Sequence, residues 1–502
     1  MLAVVAMAER QRLDGRTAGA TARARLADRL VPHWPILTIV AAYTWYFTRL
    51  SLDVHRGLGT AGYDFGLYDQ GLWLASRFRT PYVTIMGRNL FGDHTSFILI
   101  FLIPLYWVAP GAWILLFSQA LAIGSSALPI YFIARRKLGG TILPTLLGSL
   151  MLLHPATGWT NMEMFHPDCY LGLLVGLVLL CALTDRWRWL AVFVVLTLMV
   201  KEDTVLLLAP LGVWVWARRN RRAGVWIVLG SIAYAATATL VVMRNLIGKP
   251  TLNAWRIPFG GPTGLLTTAV RHPGRLRDYL GKDHRPWYVW QMLVPYAGVY
   301  LLAWDTALIS SFVLASNVIS TFVYQHLIQY HYSLIIVPPL CVATVLGIAR
   351  LQGRRRTVVV TVLMAMAIWT SHLWGILPIS RNIYSHWPAN HPVAEEVRRL
   401  GKAIPPNAVV SAQYSFVPQI DRRVRIYQFP VPYKAVYWSI YDKEGQTLPF
   451  VDQIEYVFLP KQLPADLVTV WDRFKDRYVP LVSGTYTIIW VRKDLAPAGL
   501  VG

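Results

Sequence analysis

Long apolar runs closed by short basic clusters constrain this chain more than any other feature. Residues 112–134 run into Arg135-Arg136-Lys137, residues 204–217 into Arg218-Arg219, and residues 333–349 stop just before Arg350 and Arg354-Arg355-Arg356. A helix rises about 1.5 Å per residue, so roughly 20 such residues cross a hydrocarbon layer about 30 Å thick. Soluble domains spread their apolar residues at helical or strand period, whereas unbroken runs need an apolar solvent. Fifty-five per cent of the 502 residues are hydrophobic, and the 21 Trp and 25 Tyr suit interfacial aromatic belts.

The runs predict an α-helical polytopic membrane protein with about 11 transmembrane helices, at 35–50, 112–134, 141–153, 169–184, 189–200, 204–217, 225–242, 288–304, 307–323, 333–349 and 358–377. The net charge is +22. Much of it sits in short loops between runs, where Lys and Arg mark the cytoplasmic side. That accounts for the basicity without a nucleic-acid partner. It places residues 1–34 as a basic cytoplasmic leader and the C-terminus outside. A turn at Asp305, between the eighth and ninth spans, is the one inner connection that is not basic. The three cysteines show no CxxC spacing, so neither a disulfide framework nor a zinc ribbon is expected.

The transmembrane region occupies 35–378, with outer loops at 51–111, 154–168 and 244–287. Past residue 378 the composition changes. A helical stretch at 391–402, strand-like runs at 409–412, 424–429, 454–459 and 486–491, and a helix at 465–477 predict an extracytoplasmic α/β domain over 379–502.

Polar groups that can carry chemistry cluster on the predicted outer side. The first loop offers Asp64, Asp69, Asp93 and His94. The second offers His154, Glu163, His166 and Asp168. The third is Lys201-Glu202-Asp203, and the loop after the ninth span holds His331 and Tyr332. Ionisable groups at membrane depth are costly and face a cavity or a partner. Asp64 and Asp69 also flank a turn, where Asp suits a helix cap. The histidines with nearby carboxylates suit a divalent metal such as Mg, Mn or Zn, although no HxxxH or DxD spacing is present. The 244–287 loop carries Lys249, Arg256, Arg271, Arg275, Arg277, Lys282 and Arg285. Cations on the outer face do not serve topology. They suit phosphate recognition, with Arg271, Arg275, Arg277 and Lys282 as the expected contacts, or anionic headgroups.

Several of these runs carry a resemblance. D-F-G-L-Y-D-Q-G-L-W from Asp64, G-D-H-T-S-F-I-L from Gly92, F-H-P-D from Phe165, K-E-D from Lys201, H-Y at His331 and D-R-R-V-R-I-Y-Q-F-P from Asp421 resemble a bacterial family of polytopic membrane proteins catalogued as a domain of unknown function. That family is grouped with the GT-C superfamily of membrane glycosyltransferases. The resemblance covers most of 35–460. It implies a GT-C-like fold in the bacterial plasma membrane. The activity it implies takes a sugar from a polyprenyl-phosphate carrier to an envelope glycan or glycolipid acceptor. It places the catalytic base at Asp64, with Asp69 as competitor. Beside it, His94, Glu163, His166, Lys201, Glu202, His331 and Tyr332 are the expected substrate-binding groups. Two other classes stay open from the residues alone: a transporter or flippase of a lipid-linked or anionic substrate, and a non-catalytic envelope-assembly protein.

Overall fold

The computed structural model describes residues 31–248, 253–436 and 443–498. The expected leader up to residue 30, and Lys249, lie outside the described residues.

Five helices are long and apolar enough to cross a membrane: Ala112–Leu138, Arg221–Ile247, Val299–Ile319, His331–Ala349 and Gly353–Trp374. Shorter apolar helices, among them Ile142–Leu153, Pro167–Leu183 and Trp187–Leu198, fill the bundle between them. The first helix, Trp34–Arg56, has proline in its opening turn and stops at Gly57, the proline placement that costs a helix least. Ten of the eleven expected spans thus coincide with a helix, with different boundaries; the expected 288–304 span is broken at Ala297-Gly298, and its end joins the next helix as Val299–Ile319.

The turn expected at Asp305 is not there. Asp305 lies inside Val299–Ile319 and pairs with Arg218 at 2.8 Å. The break falls earlier, at Ala297 and Gly298, both left-handed (φ 50° and 73°), and glycine enters that region at little cost. The long loop also departs from expectation. Arg221–Ile247 continues past residue 242, and two short amphipathic helices follow, Pro262–Arg271 and Pro273–Leu280. The hairpin of Val205–Arg218 and Arg221–Thr237 closes tightly at Gly224, where a Cβ would lie 2.4 Å from the Trp216 backbone nitrogen. Small residues let helices approach in this way.

The C-terminal region forms a five-stranded mixed sheet. Ile426–Gln428, Val410–Ala412 and Tyr456–Pro460 run parallel, and Thr487–Arg492 and Tyr478–Ser483 complete it antiparallel. The last of these was not expected, because Pro480 interrupts its pattern; it sits at the sheet edge, where a missing N–H is tolerated. One sheet face, with Val410, Ala412, Phe458 and Ile489, joins the same buried cluster as the membrane helices. The other packs on Trp471, Tyr433 and Tyr478. The sheet domain is therefore fused to the helical body through a continuous core.

Candidate functional site

Two loops form the heart of the site, and each contains a strained residue. In the first, Gly62–Gly66, Asp64 has φ 70° and ψ −78°. These are the angles of the rarer, strained γ-turn, and a non-glycine residue held there costs on the order of 1–3 kcal/mol. In the second, the helix Pro155–Met162 ends at Glu163 and Met164 turns left-handed at φ 60°. Gln119, buried on the Ala112–Leu138 helix, holds this loop. Its amide donates to the carbonyls of Asn161 (3.2 Å) and Met164 and accepts from His166 N (3.1 Å).

The strained turns bring four groups together. His166 Nε2 lies 3.6 Å from Asp64 Oδ1. His331 Nδ1 donates to Glu163, 3.0 Å from each oxygen, and the His331 backbone N–H donates to the same carboxylate. The His166 and His331 rings stack at 4.0 Å. Burial presses the His166 ring down, but Glu163 and Asp64 outweigh it and raise it to about 9. Burial pushes the Asp64 carboxyl up, yet the facing His166 and the His331 charge hold it below its ordinary value. Asp64 is accordingly ionised at neutral pH, with its side chain 43% exposed.

Glu163, His166 and His331 can hold a metal ion: one ligand atom from each lies within 4.8 Å of the others. The donors fit. His166 donates its Nδ1–H to the Glu163 carbonyl (3.2 Å), which leaves Nε2 as the nitrogen that would ligate an ion once its proton is displaced, the usual way a ligating imidazole is oriented. Two imidazoles and a carboxylate suit a borderline divalent ion. His154 does not join them. It is buried, accepts from Ala156 N at 3.3 Å to cap its helix, and stacks on Tyr296.

A second cluster lies beside the first. Lys201, 6% exposed in its side chain, sits 3.7 Å from Asp168 and 3.6 Å from Asp203, over the Tyr332 ring. His94 Nδ1 donates to Glu202 at 2.7 Å, and Thr95 N donates to the other Glu202 oxygen at 3.1 Å. Burial presses the His94 ring down, but Glu202 outweighs it and raises it above its ordinary value; burial pushes Glu202 up, but His94 brings it down to about 2.

This second cluster forms the polar end of a cavity of about 800 Å³. His94, Lys201, Glu202, Asp203 and Arg256 line that end; Leu265, Leu266, Ala269, Leu276 and Leu280 of the two amphipathic helices make an apolar wall. Leu206 and Leu266 line it and are themselves exposed, so the cavity reaches the protein surface. Arg256 stacks on Phe322 at 4.3 Å, and its Nε has no hydrogen-bond partner among the described residues.

Several expected residues lie elsewhere. Asp69 turns away from the site. It accepts from Tyr106 (2.8 Å) and faces Asp421 and Arg422 of the sheet domain. Burial pushes both Asp69 and Asp421 up, and their proximity raises Asp421 further. Arg271, Arg275, Arg277 and Lys282 are exposed; Arg277 pairs with Asp278, and Arg275 lies over Phe259. Their helices turn leucines, not cations, into the cavity. The loop cation that does face it is Arg256, for which an Arg placed directly after Trp255 in an apolar setting was the available signal. Gln119 carried no signal: an amide inside an apolar run reads as a tolerated polar residue.

Fold and site together define a multi-pass membrane protein with a polar centre at the mouth of an apolar cavity. A family model described as "Predicted membrane protein (DUF2079)" matches residues 54–483, and the chain belongs to that family. No curated protein matches the chain. Among solved structures, it is similar in fold to ArnT from Cupriavidus metallidurans bound to undecaprenyl phosphate: 13% identity, TM-score 0.51, over 93% of this chain and 99% of that one. The apo state of the same protein gives 12% identity and TM-score 0.51, over 90% of this chain and 97% of that one.

Proposed function

We propose that the protein is a GT-C-type glycosyltransferase with about eleven membrane crossings. It moves a sugar from a polyprenyl-phosphate donor to an envelope acceptor on the extracytoplasmic face, where its C-terminal domain lies. One observation carries the reading: an ionised carboxylate on a strained turn lies in a cluster that adjoins, through Asp168, a buried lysine at the polar end of a surface-reaching apolar cavity. The ArnT-like fold, and the undecaprenyl phosphate on that structure, support a lipid-phosphate donor. About 800 Å³ lies within the usual range of ligand pockets, and the apolar wall suits the proximal part of a lipid chain.

In this reading the donor lies with its isoprenoid along Leu265, Leu276 and Leu280 and its phosphate at Arg256 and Lys201. The acceptor hydroxyl approaches Asp64, which takes its proton as the new C1–O bond forms. The C1–O bond to phosphate breaks with its electrons, and Lys201 and Arg256 offset the charge on the departing phosphate. Direct displacement inverts the anomeric carbon. His166 keeps positive charge beside Asp64; a divalent ion held by Glu163, His166 and His331 would supply such charge and a Lewis acid for phosphate oxygens. Glu202 fixes His94 at the cavity rim, and Tyr332 backs Lys201.

The test is Asp64→Asn in protein purified into nanodiscs. The substrates are undecaprenyl-phosphate monosaccharides and envelope glycan extracted from host membranes. Loss of transfer with retained binding of undecaprenyl phosphate is expected; full transfer by the folded variant ends the assignment.

A further inference from the structure

The D-R-R-V-R-I-Y-Q-F-P run has no role in the chemistry above, yet it is hydrogen-bonded to the first loop at residues 63, 70 and 84. Gln70 Nε2 donates to the carbonyls of Arg423 (3.2 Å) and Val424 (3.3 Å). Thr84 Oγ1 donates to Ile426 O at 2.6 Å and accepts from Ile426 N at 2.9 Å. The last contact of the series reaches the strained turn itself. Tyr63 N donates to Gln428 Oε1 at 3.1 Å, and Gly62 N donates to the Tyr414 carbonyl at 2.9 Å. Gln428 is 7% exposed and ends the strand Ile426–Gln428. A Cβ on Gly62 would meet Gln428 Oε1 at 2.8 Å, so the Gln428 side chain lies directly against the turn.

A strained residue persists only where its surroundings over-determine it. Asp64 has φ 70°, and the peptide N–H groups just before it are held from the sheet domain. We infer that Gln428 is a positioning residue: through Tyr63 N it fixes the turn that aims Asp64, which makes the sheet domain part of the catalytic unit. This rests on the reading of Asp64 as the base. It explains why the sheet shares one buried core with the membrane helices. A binding module on a linker has no need of such fusion, whereas a template for a strained turn must be rigid relative to it.

The experiment compares Gln428→Leu, which removes the acceptor at similar volume, with Gln428→Glu, which keeps an oxygen in its place. Both are made in the full chain in nanodiscs. Hydrogen exchange of the 62–66 backbone is read alongside transfer from undecaprenyl-phosphate monosaccharides. In Gln428→Leu, exchange over 62–66 should rise at least about tenfold while protection elsewhere holds. Turnover should fall about 10–100-fold with the donor KM within about twofold, since a misplacement near 1 Å can cost that much. Gln428→Glu should keep both within about threefold of the parent. Should Gln428→Leu not fold, Gln428→Asn, whose shorter arm withdraws the acceptor, gives the same comparison. Unchanged exchange at 62–66, equal losses in the Leu and Glu variants, or a loss confined to KM each overturn the inference. Its failure is separable from that of the base assignment. An inactive Asp64→Asn with a fully active Gln428→Leu removes only the clamp. An active Asp64→Asn removes the base, and the exchange measurement still decides the clamp.

Discussion

The two polar clusters of this site use similar residues to opposite ends. Around Asp64, two carboxylates face two stacked imidazoles, with Asp64 held ionised by the His166 ring it faces. Around Lys201, three carboxylates gather about an ammonium that keeps its proton. The first cluster is held by strained loops, the second by the ends of two apolar helices. In the proposed reading, the difference assigns proton handling and charge compensation to adjoining but distinct clusters. The first is placed by backbone geometry and the second by burial at a cavity mouth.

The sharpest way to break that division is at Asp64. Asp64→Asn should cost about 10²–10⁴-fold in turnover, the range a positioned general base supplies, and leave lipid affinity alone. Comparable loss of affinity by titration with undecaprenyl phosphate would merge the two clusters into one. Lys201→Met should act on folding instead. It strands Asp168, buried beside it, and loss of one partner of a buried pair costs about 3–5 kcal/mol. A large fall in melting temperature is expected, and Arg at 201 should recover much of it. Arg256→Ala should weaken undecaprenyl phosphate about tenfold or more, the worth of a charged hydrogen bond, with no change in melting temperature. Equal affinity would move the phosphate away from Arg256. For the metal, Glu163→Gln with His331→Asn should lower the divalent content found by elemental analysis of the purified protein, while Lys201→Arg should not.

The smallest effect is the pH dependence of the second cluster. The folded value of His94 lies above its ordinary 6.5. Its stabilising share is therefore whole below pH 6.5 and fades as pH rises through the folded value. Glu202 is lowered from 4.5 to about 2, so its share is whole above pH 4.5 and fades toward pH 2. The deficit of His94→Gln in melting temperature should be widest between about pH 4.5 and 6.5 and shrink on the alkaline side. A deficit that grows with pH would contradict the pairing.

The helical body was legible because hydrocarbon imposes long runs, and all but one of the runs became a helix; the 288–304 run is broken at Ala297-Gly298, where a left-handed pair leaves no trace in hydropathy. The site was legible to the extent that charges at membrane depth need a reason: Asp64, Glu163, His166, Lys201 and His331 do converge. What stayed hidden depends on contacts distant in sequence. Asp69 looks like Asp64 along the chain, yet Asp421, more than 300 residues on, claims it. The exposed arginines of 271–277 outnumber Arg256, but only the fold decides which way a short amphipathic helix turns its charges. Gln119 and Gln428 are ordinary residues until the loops they hold are seen to be strained.

The apolar rim at Leu206 and Leu266 has a kinetic consequence. A ligand that enters between such residues need not pass through water. It arrives by diffusing sideways in the plane of the bilayer, and its supply is set by mole fraction among the other lipids. Turnover should therefore follow the surface density of donor in a vesicle and stay constant when the whole suspension is diluted.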